Sequence, residues 1–314
     1  MLFPNPDILV YIAMGDAFAA AVEYLKVDRP GSRELLESCL FFDRYYAHPT
    51  HGHAAGHYTD DAERATANAH VLLGAPPFSS IDFVSAYLKE FERGGRRKGY
   101  AKGYQAFLES CRSPEQYLRE IRSDSTKNGG AMGAAVLGVL PTPREVLEVA
   151  TVQARVTHAT PEGEFAARLV ALLAHFALYV DAPLAEAGMW CRSRMATEDL
   201  NRFGYVFTET WPASRPVTSY TCHEYGKVST GVATAHACLR LVMSTKSLLE
   251  VMERILRAGG DTDSVAAIVW GIVSCRFQND VLPEFFERDL EGGNPWTGAP
   301  YLREVGRKFM TKYA

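Results

Sequence analysis

The chain has 314 residues, 47% of them hydrophobic, and can therefore bury a substantial core as one large domain or two small ones. Its formal net charge of -4 gives no overall attraction to nucleic acid, so a nucleic-acid partner would require a local basic patch. There is no run of about 18 apolar residues, and the N-terminal segment lacks a basic n-region, so we expect a cytoplasmic protein with no membrane association.

An apolar period close to 3.6 runs through nearly the whole chain and predicts helices. Thr142-Pro143 and Thr160-Pro161 are typical helix starts, because proline is favoured at the first helical position. Alternation typical of strands is scarce and predicts only two short ones, over 205–208 and 217–220. We therefore predict an all-α fold in which residues 1–314 form a single globular domain. The predicted helices span 7–25, 59–73, 79–93, 129–140, 143–157, 161–180, 183–203, 229–244, 246–258 and 264–277.

The first predicted helix contains the segment Gly15-Asp16-Ala17-Phe18-Ala19-Ala20-Ala21-Val22-Glu23. Asp16 is expected to anchor a neighbouring helix or a nearby hydroxyl group. From the residues alone, Glu23 is read as a solvated glutamate on a helix face or as a group with a role in chemistry.

A group of histidines follows in a loop that is rich in Gly and Ala: His48, His51, His53 and His57. Zinc is one interpretation of this spacing, but no cysteine accompanies the histidines. We favour a loop that lines a cleft and keep zinc as the alternative.

Two adjacent carboxylates open the next helix, in the sequence Thr59-Asp60-Asp61. A threonine with acidic residues behind it is ordinary helix-start composition, favoured by the positive end of the helix dipole. The alternative is that these oxygen atoms bind a metal ion.

The stretch Arg93-Gly-Gly-Arg-Arg-Lys-Gly-Tyr-Ala-Lys102 is basic and rich in glycine. A solvated loop is the simplest interpretation. Contact with a modified protein or a nucleic-acid acceptor is the alternative.

A polar loop precedes the helix predicted over 129–140 and contains Ser125, Asn128, Gly129 and Gly130. Backbone N–H groups at such a helix start could bind a pyrophosphate group, while a plain N-cap at Asn128 explains the same residues. His158 ends an amphipathic helix, where a structural histidine is common, and is kept as a contact of the cleft with substrate.

The most informative stretch is Gly259-Gly260-Asp261-Thr262-Asp263-Ser264, which comes directly before an apolar helix. The glycines allow a tight turn, so that Asp261 and Asp263 can direct their oxygens at one point. Carboxylate and hydroxyl oxygens suit Mg²⁺, Mn²⁺ or Ca²⁺ better than zinc. Helix capping is again the alternative, but two such acidic clusters together exceed what capping requires. Two metal ions about 3.5–4 Å apart need roughly that many oxygen atoms.

These motifs resemble those of the ADP-ribosylglycohydrolases, and they match in the right order over almost the whole chain. The matching segments are Gly15–Glu23, Thr59–Asp61, Ser125–Met132, Thr157–His158 and Gly260–Ser264. The chain departs from the family at Lys127 and Gly133, where glycine and arginine are common, and at Ala62 and Ser264, where threonine is common.

The resemblance implies an orthogonal all-helical fold with a dinuclear metal site in a central cleft, holding two Mg²⁺ or Mn²⁺ ions. It implies that Glu23 acts on the leaving group as an acid or base and that Asp61 activates water. It assigns substrate binding to Ser125, Asn128, Gly129, Gly130 and His158. The metal ligands that it implies are Thr59, Asp60, Asp61, Asp261, Asp263 and Ser264.

The function that the resemblance implies is hydrolysis of the glycosidic bond between ADP-ribose and an acceptor, with a protein arginine side chain as the first candidate. The partner is then an ADP-ribosylated protein or a small ADP-ribosyl compound. Two alternatives stay open at this point. One is a non-catalytic or immunity-type binding protein that keeps the fold, and the other is a hydrolase of a different ADP-ribosyl or nucleoside-sugar compound.

Overall fold

A computed structural model describes residues 1–26, 29–210, 219–220 and 228–314. Short 3-10 helices cover Ala20–Val22, Ala134–Val139, Leu184–Glu186 and Leu290–Gly293, and the antiparallel strands β1 (Ser219–Tyr220) and β2 (Val228–Ser229) pair with each other. The α-helices are α1 (Ile8–Ala19), α2 (Ser32–Cys39), α3 (Asp60–Leu73), α4 (Ser80–Arg93), α5 (Lys102–Ser110), α6 (Pro114–Glu120), α7 (Gly129–Met132), α8 (Pro143–Arg155), α9 (Pro161–Tyr179), α10 (Ala187–Arg192), α11 (Thr197–Phe203), α12 (Tyr205–Thr208), α13 (Gly231–Ser244), α14 (Leu248–Ala258), α15 (Thr262–Val273), α16 (Phe285–Arg288) and α17 (Ala299–Tyr313).

The predicted all-α class is confirmed, and so are the helix starts with proline in their first turn. The hydroxyls of Thr142 and Thr160 accept hydrogen bonds from the N–H groups of Glu145 and Gly163, which caps α8 and α9. Among the described residues, none of the helices combines the length and the apolar character needed to cross a bilayer.

Several predicted elements have different bounds in the structure. The helix predicted over 129–140 is a single turn, α7, followed by a 3-10 helix. The helix predicted over 183–203 is divided between a 3-10 helix, α10 and α11, and the bend before α11 carries Met195 into the core. The helices α2, α5, α6, α16 and α17 were not predicted, although Leu302, Val305 and Phe309 of α17 recur at helical spacing.

The strand predicted over 205–208 is wrong, because these residues form α12. Their alternating apolar pattern is overridden by packing: Val206 is fully buried, and the ring of Phe207 meets that of Phe165 edge-on at 6.3 Å. Of the strand predicted over 217–220, Ser219 and Tyr220 are found in β1, and 217–218 lie outside the described residues.

The core is built around α1, α9 and α15, whose residues are almost all buried. α1 and α15 pack closely where Gly15 faces the backbone of α15. A Cβ atom at Gly15 would lie only 2.7 Å from the carbonyl oxygen of Ala266, so this approach requires glycine. The close contact brings the residue after Gly15, Asp16, to the start of α15 and of α3.

Candidate active site

Asp16 on α1 caps the N-terminus of α3. Its carboxylate accepts hydrogen bonds from the N–H of Thr59 (2.9 Å), the hydroxyl of Thr59 (2.9 Å) and the N–H of Ala62 (2.9 Å). The expected anchoring role of Asp16 is therefore seen in the structure. Burial raises the pKa of Asp16 to about 7, although these hydrogen bonds oppose the shift. The bonds fix Asp60 and Asp61, which follow Thr59 directly.

The start of α15 is tied to the end of α1. The hydroxyl of Thr262 donates to the carbonyl of Ala19 at 2.8 Å. The N–H of Tyr24 donates to the carbonyl of Gly260 at 2.7 Å. Since both helix starts are attached to the same N-terminal segment, the two acidic clusters of the sequence are brought together.

The carboxylates form two groups that share Asp263. One consists of Asp16, Asp61 and Asp263 and the other of Glu23, Asp261 and Asp263, and within each group one ligand atom per residue lies within 4.8 Å of the others. Burial and the neighbouring negative charges raise the pKa of Asp61 and of Asp263 well above its ordinary value. Such crowding of like charges is destabilising unless protons or cations compensate it.

The arrangement fits divalent cations with oxygen ligands. Oδ1 of Asp61 is buried and has no hydrogen-bond partner among the described residues. A buried acceptor without a partner is costly, and a hard cation would satisfy it. The hydroxyls lie within the cluster, since Thr59 donates to Asp61 Oδ2 at 3.3 Å and the Ser264 side chain is close enough to oppose the rise in the pKa of Asp61.

Asp60 lies apart from both groups, on the wall of the cleft. Part of its surface is open to the cleft, and its carboxylate is otherwise surrounded by protein. Burial raises its pKa to about 8, and the charge of Asp16 adds to the shift. The backbone of Gly99 packs against Thr59 and Asp60, so the basic stretch of the sequence forms part of the site wall.

A cleft of about 390 Å³ opens in front of these carboxylates. The lining of the cleft comprises Glu23, Tyr24, Asp60, Asp61, Arg64, Gly99, Tyr100, Ala101, Tyr104, Ile121, Arg122, Ser125, Lys127, Asn128, Gly129, Met132, Thr157, His158, Asp261, Asp263 and Ser264. It therefore includes four of the five predicted substrate-binding residues, Ser125, Asn128, Gly129 and His158. The fifth, Gly130, is buried and does not line the cleft.

Asn128 connects this loop to the acidic cluster. It stands at the N-cap position of α7, but its side chain makes no capping hydrogen bond. Its Nδ2 atom donates instead to Oδ2 of Asp261 at 3.1 Å. Simple helix capping therefore does not explain this residue.

His158 is a neutral imidazole that packs on the same loop. Burial, together with the charges of Arg64 and Lys127, lowers its pKa to about 3. Its Nδ1 atom lies 2.7 Å from the hydroxyl of Thr157. A Cβ atom at Gly129 would lie 2.7 Å from Cε1 of His158, so the imidazole can reach this position only beside a glycine.

The histidine group does not form a zinc site. Both ring nitrogens of His48 are hydrogen-bonded, Nε2 to the carbonyl of Glu23 and Nδ1 to the N–H groups of Thr50 and His51. Among the described residues, the groups able to hold a metal contain only carboxylates. Nor do the histidines line the cleft, so the favoured expectation for this loop is wrong as well. His51 instead contacts Glu23, with Nδ1 3.0 Å from Oε2.

Two arginines of the basic stretch, Arg93 and Arg97, are engaged in ion pairs at the site wall. Arg97 contacts Glu291 at 2.7 Å and Glu63 at 3.3 Å, and all three side chains are buried. Arg93 pairs with Glu90 on α4. Arg93 and Arg97 thus hold the site wall in place, whereas Arg96 and Lys98 of the same stretch are exposed.

Tyr24 and Arg64 are among the cleft residues that the sequence analysis missed. Tyr24 donates to Asp261, and nothing in the sequence indicates this contact. Arg64 lies one turn after Asp60 on α3, a spacing from which it could have been found. Arg64 as a whole residue is 3% exposed. Its guanidinium carbon lies 3.8 Å from the centroid of the Tyr87 ring, and its Nη2 atom donates to the hydroxyl of Tyr104. Gly133 leaves room for it, since a Cβ atom there would lie 2.6 Å from Cγ of Arg64.

Comparison with known proteins agrees with this architecture. The sequence model of the ADP-ribosylglycohydrolase family matches residues 9–312, and the chain belongs to this family. It is accordingly an enzyme that hydrolyses glycosidic bonds.

Individual relatives are distant. The chain is 23% identical over 275 residues to ADP-ribosylhydrolase ARH3 of Homo sapiens, covering 75% of each chain. It is 23% identical over 274 residues to ADP-ribosylhydrolase ARH3 of Bos taurus, covering 75% of this chain and 74% of the relative. A solved ADP-ribosylglycohydrolase-related protein complex aligns with a TM-score of 0.64 at 21% identity, over 98% of this chain and 97% of the other, and shows the same fold.

Proposed function

We propose that this protein, acting as a single domain, hydrolyses the bond between the anomeric carbon of ADP-ribose and a protein arginine side chain, with two Mg²⁺ or Mn²⁺ ions. One observation carries the proposal: two sets of three carboxylates share Asp263 and adjoin a cleft that Asn128 and His158 also line. An ADP-ribosylated protein is the natural substrate in this scheme, and a small ADP-ribosyl compound would use the same site.

The residues that would hold the cations are Asp61, Asp261 and Asp263, with the hydroxyls of Thr59 and Ser264. Asp60 would add a ligand from the cleft wall, and Glu23, which lies in one carboxylate group with Asp261 and Asp263, would add one from the other side. Bound there, the cations supply Lewis acidity, which polarises substrate oxygens and makes a water molecule more acidic. Asp61 would also serve as the base for the attacking water.

The part of the cleft wall formed by Ser125, Asn128 and His158 would bind the phosphate-bearing part of the substrate. Asn128 is fixed by its bond to Asp261, so its position relative to the acidic cluster is set before substrate binds. Ser125 is held because its carbonyl accepts from the hydroxyl of Thr160 at 3.0 Å and its own hydroxyl accepts from the N–H of Lys127 at 3.2 Å. His158 stays neutral at the pH of a cell and can therefore serve as a hydrogen-bonding wall without changing its charge.

Arginine is proposed as the acceptor because of the charge and position of Glu23. This carboxylate is half-buried at the edge of the cleft, beside Asp261 and Asp263. A planar guanidinium leaving group can donate two parallel hydrogen bonds to a carboxylate, which a serine oxygen cannot do. Glu23 would thus both orient the acceptor and exchange a proton with it as the bond breaks.

The test is a panel of substrates that carry ADP-ribose on arginine, on serine or on a nucleic-acid end, each incubated with saturating Mg²⁺ or Mn²⁺ or with EDTA. We expect release of ADP-ribose from the arginine-linked substrate, lost with EDTA and lost in a matched Asp263→Asn variant. Release from serine or nucleic acid alone would overturn the acceptor. Equal release in EDTA would overturn the metal requirement, and no release from any substrate would overturn the function.

A further inference from the structure

The histidine loop, defined here as residues 47–57, contacts Glu23 at two points. Nε2 of His48 lies 2.9 Å from the carbonyl oxygen of Glu23, and Nδ1 of His51 lies 3.0 Å from Oε2 of its carboxylate. No histidine of this loop, which the structure describes in full, is among the residues that line the cleft. The loop thus touches the proposed catalytic carboxylate without contributing to the wall of the cleft.

The orientation and tautomer of His48 are fixed by its surroundings. Its Nδ1 atom accepts hydrogen bonds from the N–H groups of Thr50 (3.1 Å) and His51 (3.0 Å). Because Nδ1 is an acceptor, the ring proton lies on Nε2 and is donated to the carbonyl of Glu23. His48 is therefore a rigid link between the histidine loop and the backbone of Glu23.

His51 takes its orientation from His48. The two rings stack with centroids 3.6 Å apart and planes 23° apart. This stack directs Nδ1 of His51 at the Glu23 carboxylate. The side chain of His51 is 32% exposed and that of Glu23 is 19% exposed, so the contact is partly shielded from water. A partly shielded contact between imidazole and carboxylate is stronger than one on the open surface.

Glu23 needs such a partner to remain where it is. It follows the 3-10 helix at the end of α1, at the point where the backbone leaves the helix, and Tyr24 after it adopts a φ of 48°. The negative charge of Asp261 opposes an ionised Glu23 beside it. A glutamate side chain also loses considerable rotamer entropy when it is held in one conformation.

We propose that His51, held by its stack on His48, is a positioning residue that keeps the Glu23 carboxylate against Asp261 and Asp263. The turnover part of this inference rests on the proposed hydrolysis, whereas the metal-affinity part rests only on the proposed metal site. The role assigned to His51 is to orient Glu23, and His51 itself touches neither substrate nor the bond that breaks.

Two substitutions separate the hydrogen bond from the stack. His51→Phe keeps an aromatic ring on His48 and removes the nitrogen, and His51→Asn keeps an N–H donor near the position of Nδ1 and removes the ring. His53→Ala in the same loop is the matched control, since no hydrogen bond or ion pair joins His53 to Glu23 in this fully described loop. The readouts on the full chain are Mn²⁺ affinity by calorimetry, without substrate, and kcat and KM for release of ADP-ribose.

We expect His51→Phe to weaken Mn²⁺ binding and to lower kcat, each by about 10- to 100-fold, the usual range for a residue that orients a ligand group. KM and the melting temperature should stay close to parental values. His51→Asn should recover most of both losses, and His53→Ala should match the parent. When Glu23→Gln is already present, adding His51→Phe should cost little more, since two residues that act through one contact are not additive.

Parental Mn²⁺ affinity in His51→Phe would overturn the inference, and so would fully additive losses with Glu23→Gln. Failure of His51→Asn to recover either readout would also overturn it, because the ring stack alone would then be what matters. If the parent protein releases ADP-ribose from no substrate, the proposed function fails, and the Mn²⁺ series still decides the role of His51.

Discussion

The phenol oxygen of Tyr24 donates a hydrogen bond of 2.9 Å to Oδ2 of Asp261, which lies 237 positions further along the chain. The backbone N–H of Tyr24 also donates to the carbonyl of Gly260. Tyr24 has a φ of 48°, a conformation that costs a residue with a side chain of order 1 kcal/mol or more. These two bonds offset that strain and hold the C-terminal acidic motif beside Glu23.

Tyr24→Phe should therefore weaken the metal site while leaving the fold intact. It removes one hydrogen-bond donor from the Asp261 carboxylate and little volume, and loss of such a supporting contact typically costs about 10- to 100-fold in metal affinity or activity. Calorimetric titration with Mn²⁺ measures the effect. Tyr46→Phe is the control, because the Tyr46 hydroxyl donates to Asp43 on the exposed surface. Equal affinities in the two variants would contradict the prediction.

Asp16→Asn should destabilise the protein by about 1–3 kcal/mol, the cost of leaving a buried donor without an acceptor. The new amide nitrogen would face one of the N–H groups of Thr59 and Ala62, which now donate to the carboxylate. Urea unfolding gives the change in free energy. The exposed Asp43→Asn should change stability far less, and a fully stable Asp16→Asn would show that the cap contributes nothing.

The metal-free protein should lose stability as pH rises. Burial raises the pKa of Asp16 to about 7 and that of Asp60 to about 8, from an ordinary value of 3.8. Between about pH 4 and pH 8 the native protein therefore keeps protons that the unfolded chain has released. The resulting contribution to stability is complete below about pH 4 and is lost as pH rises through 7 to 8.

Mn²⁺ should reverse this dependence, because cations replace protons on the carboxylates. At a hundredfold excess over Kd, binding adds ~2.7 kcal/mol to the free energy of unfolding. Urea unfolding from pH 5 to pH 9, in EDTA and then in Mn²⁺, measures both effects. A metal-free stability that does not change with pH would be evidence against the raised pKa values.

Asp263→Asn should abolish Mn²⁺ binding and turnover and raise the melting temperature of the metal-free protein. Asp263 belongs to both carboxylate groups, so neutralising it relieves repulsion in each. The asparagine oxygen can still accept from the N–H of Ser264, as Oδ1 does at 2.9 Å. Differential scanning calorimetry with and without Mn²⁺ is the measurement. Retained Mn²⁺ affinity would exclude Asp263 as a ligand.

Glu23→Gln should bind free ADP-ribose about as well as the parent and lose about 10²–10⁴ in kcat, the usual range for one acid or base. The substitution keeps size and removes the charge, so it tests work done in the transition state and not ground-state binding. Both measurements are made with Mn²⁺ saturating. Asp60→Asn is the contrasting variant, with ADP-ribose affinity expected to fall as well. A parental kcat in Glu23→Gln would move the acid-base role to Asp61.

The sequence by itself determined the helical class and the places where helices start. Thr59-Asp60-Asp61 and Gly260-Asp261-Thr262-Asp263 could be recognised because capping residues and glycines act on their own turn of the chain. The periodicity of α9 and α15 likewise depends only on near neighbours. Because such patterns are local, the sequence predicts two acidic helix starts but does not determine the distance between them.

Only the tertiary structure decided which of these carboxylates meet. Asp16, read as an anchor, belongs to one carboxylate group as well as capping α3, whereas Asp60 lies apart on the cleft wall. The histidine loop, read as a possible zinc site or cleft wall, contacts Glu23 instead. Glu23 and His51 are 28 positions apart in the sequence, and Asp16 and Asp263 are 247 positions apart. Contacts over such separations are set by how α1, α3 and α15 pack, through close approaches such as that at Gly15, and no local pattern encodes them.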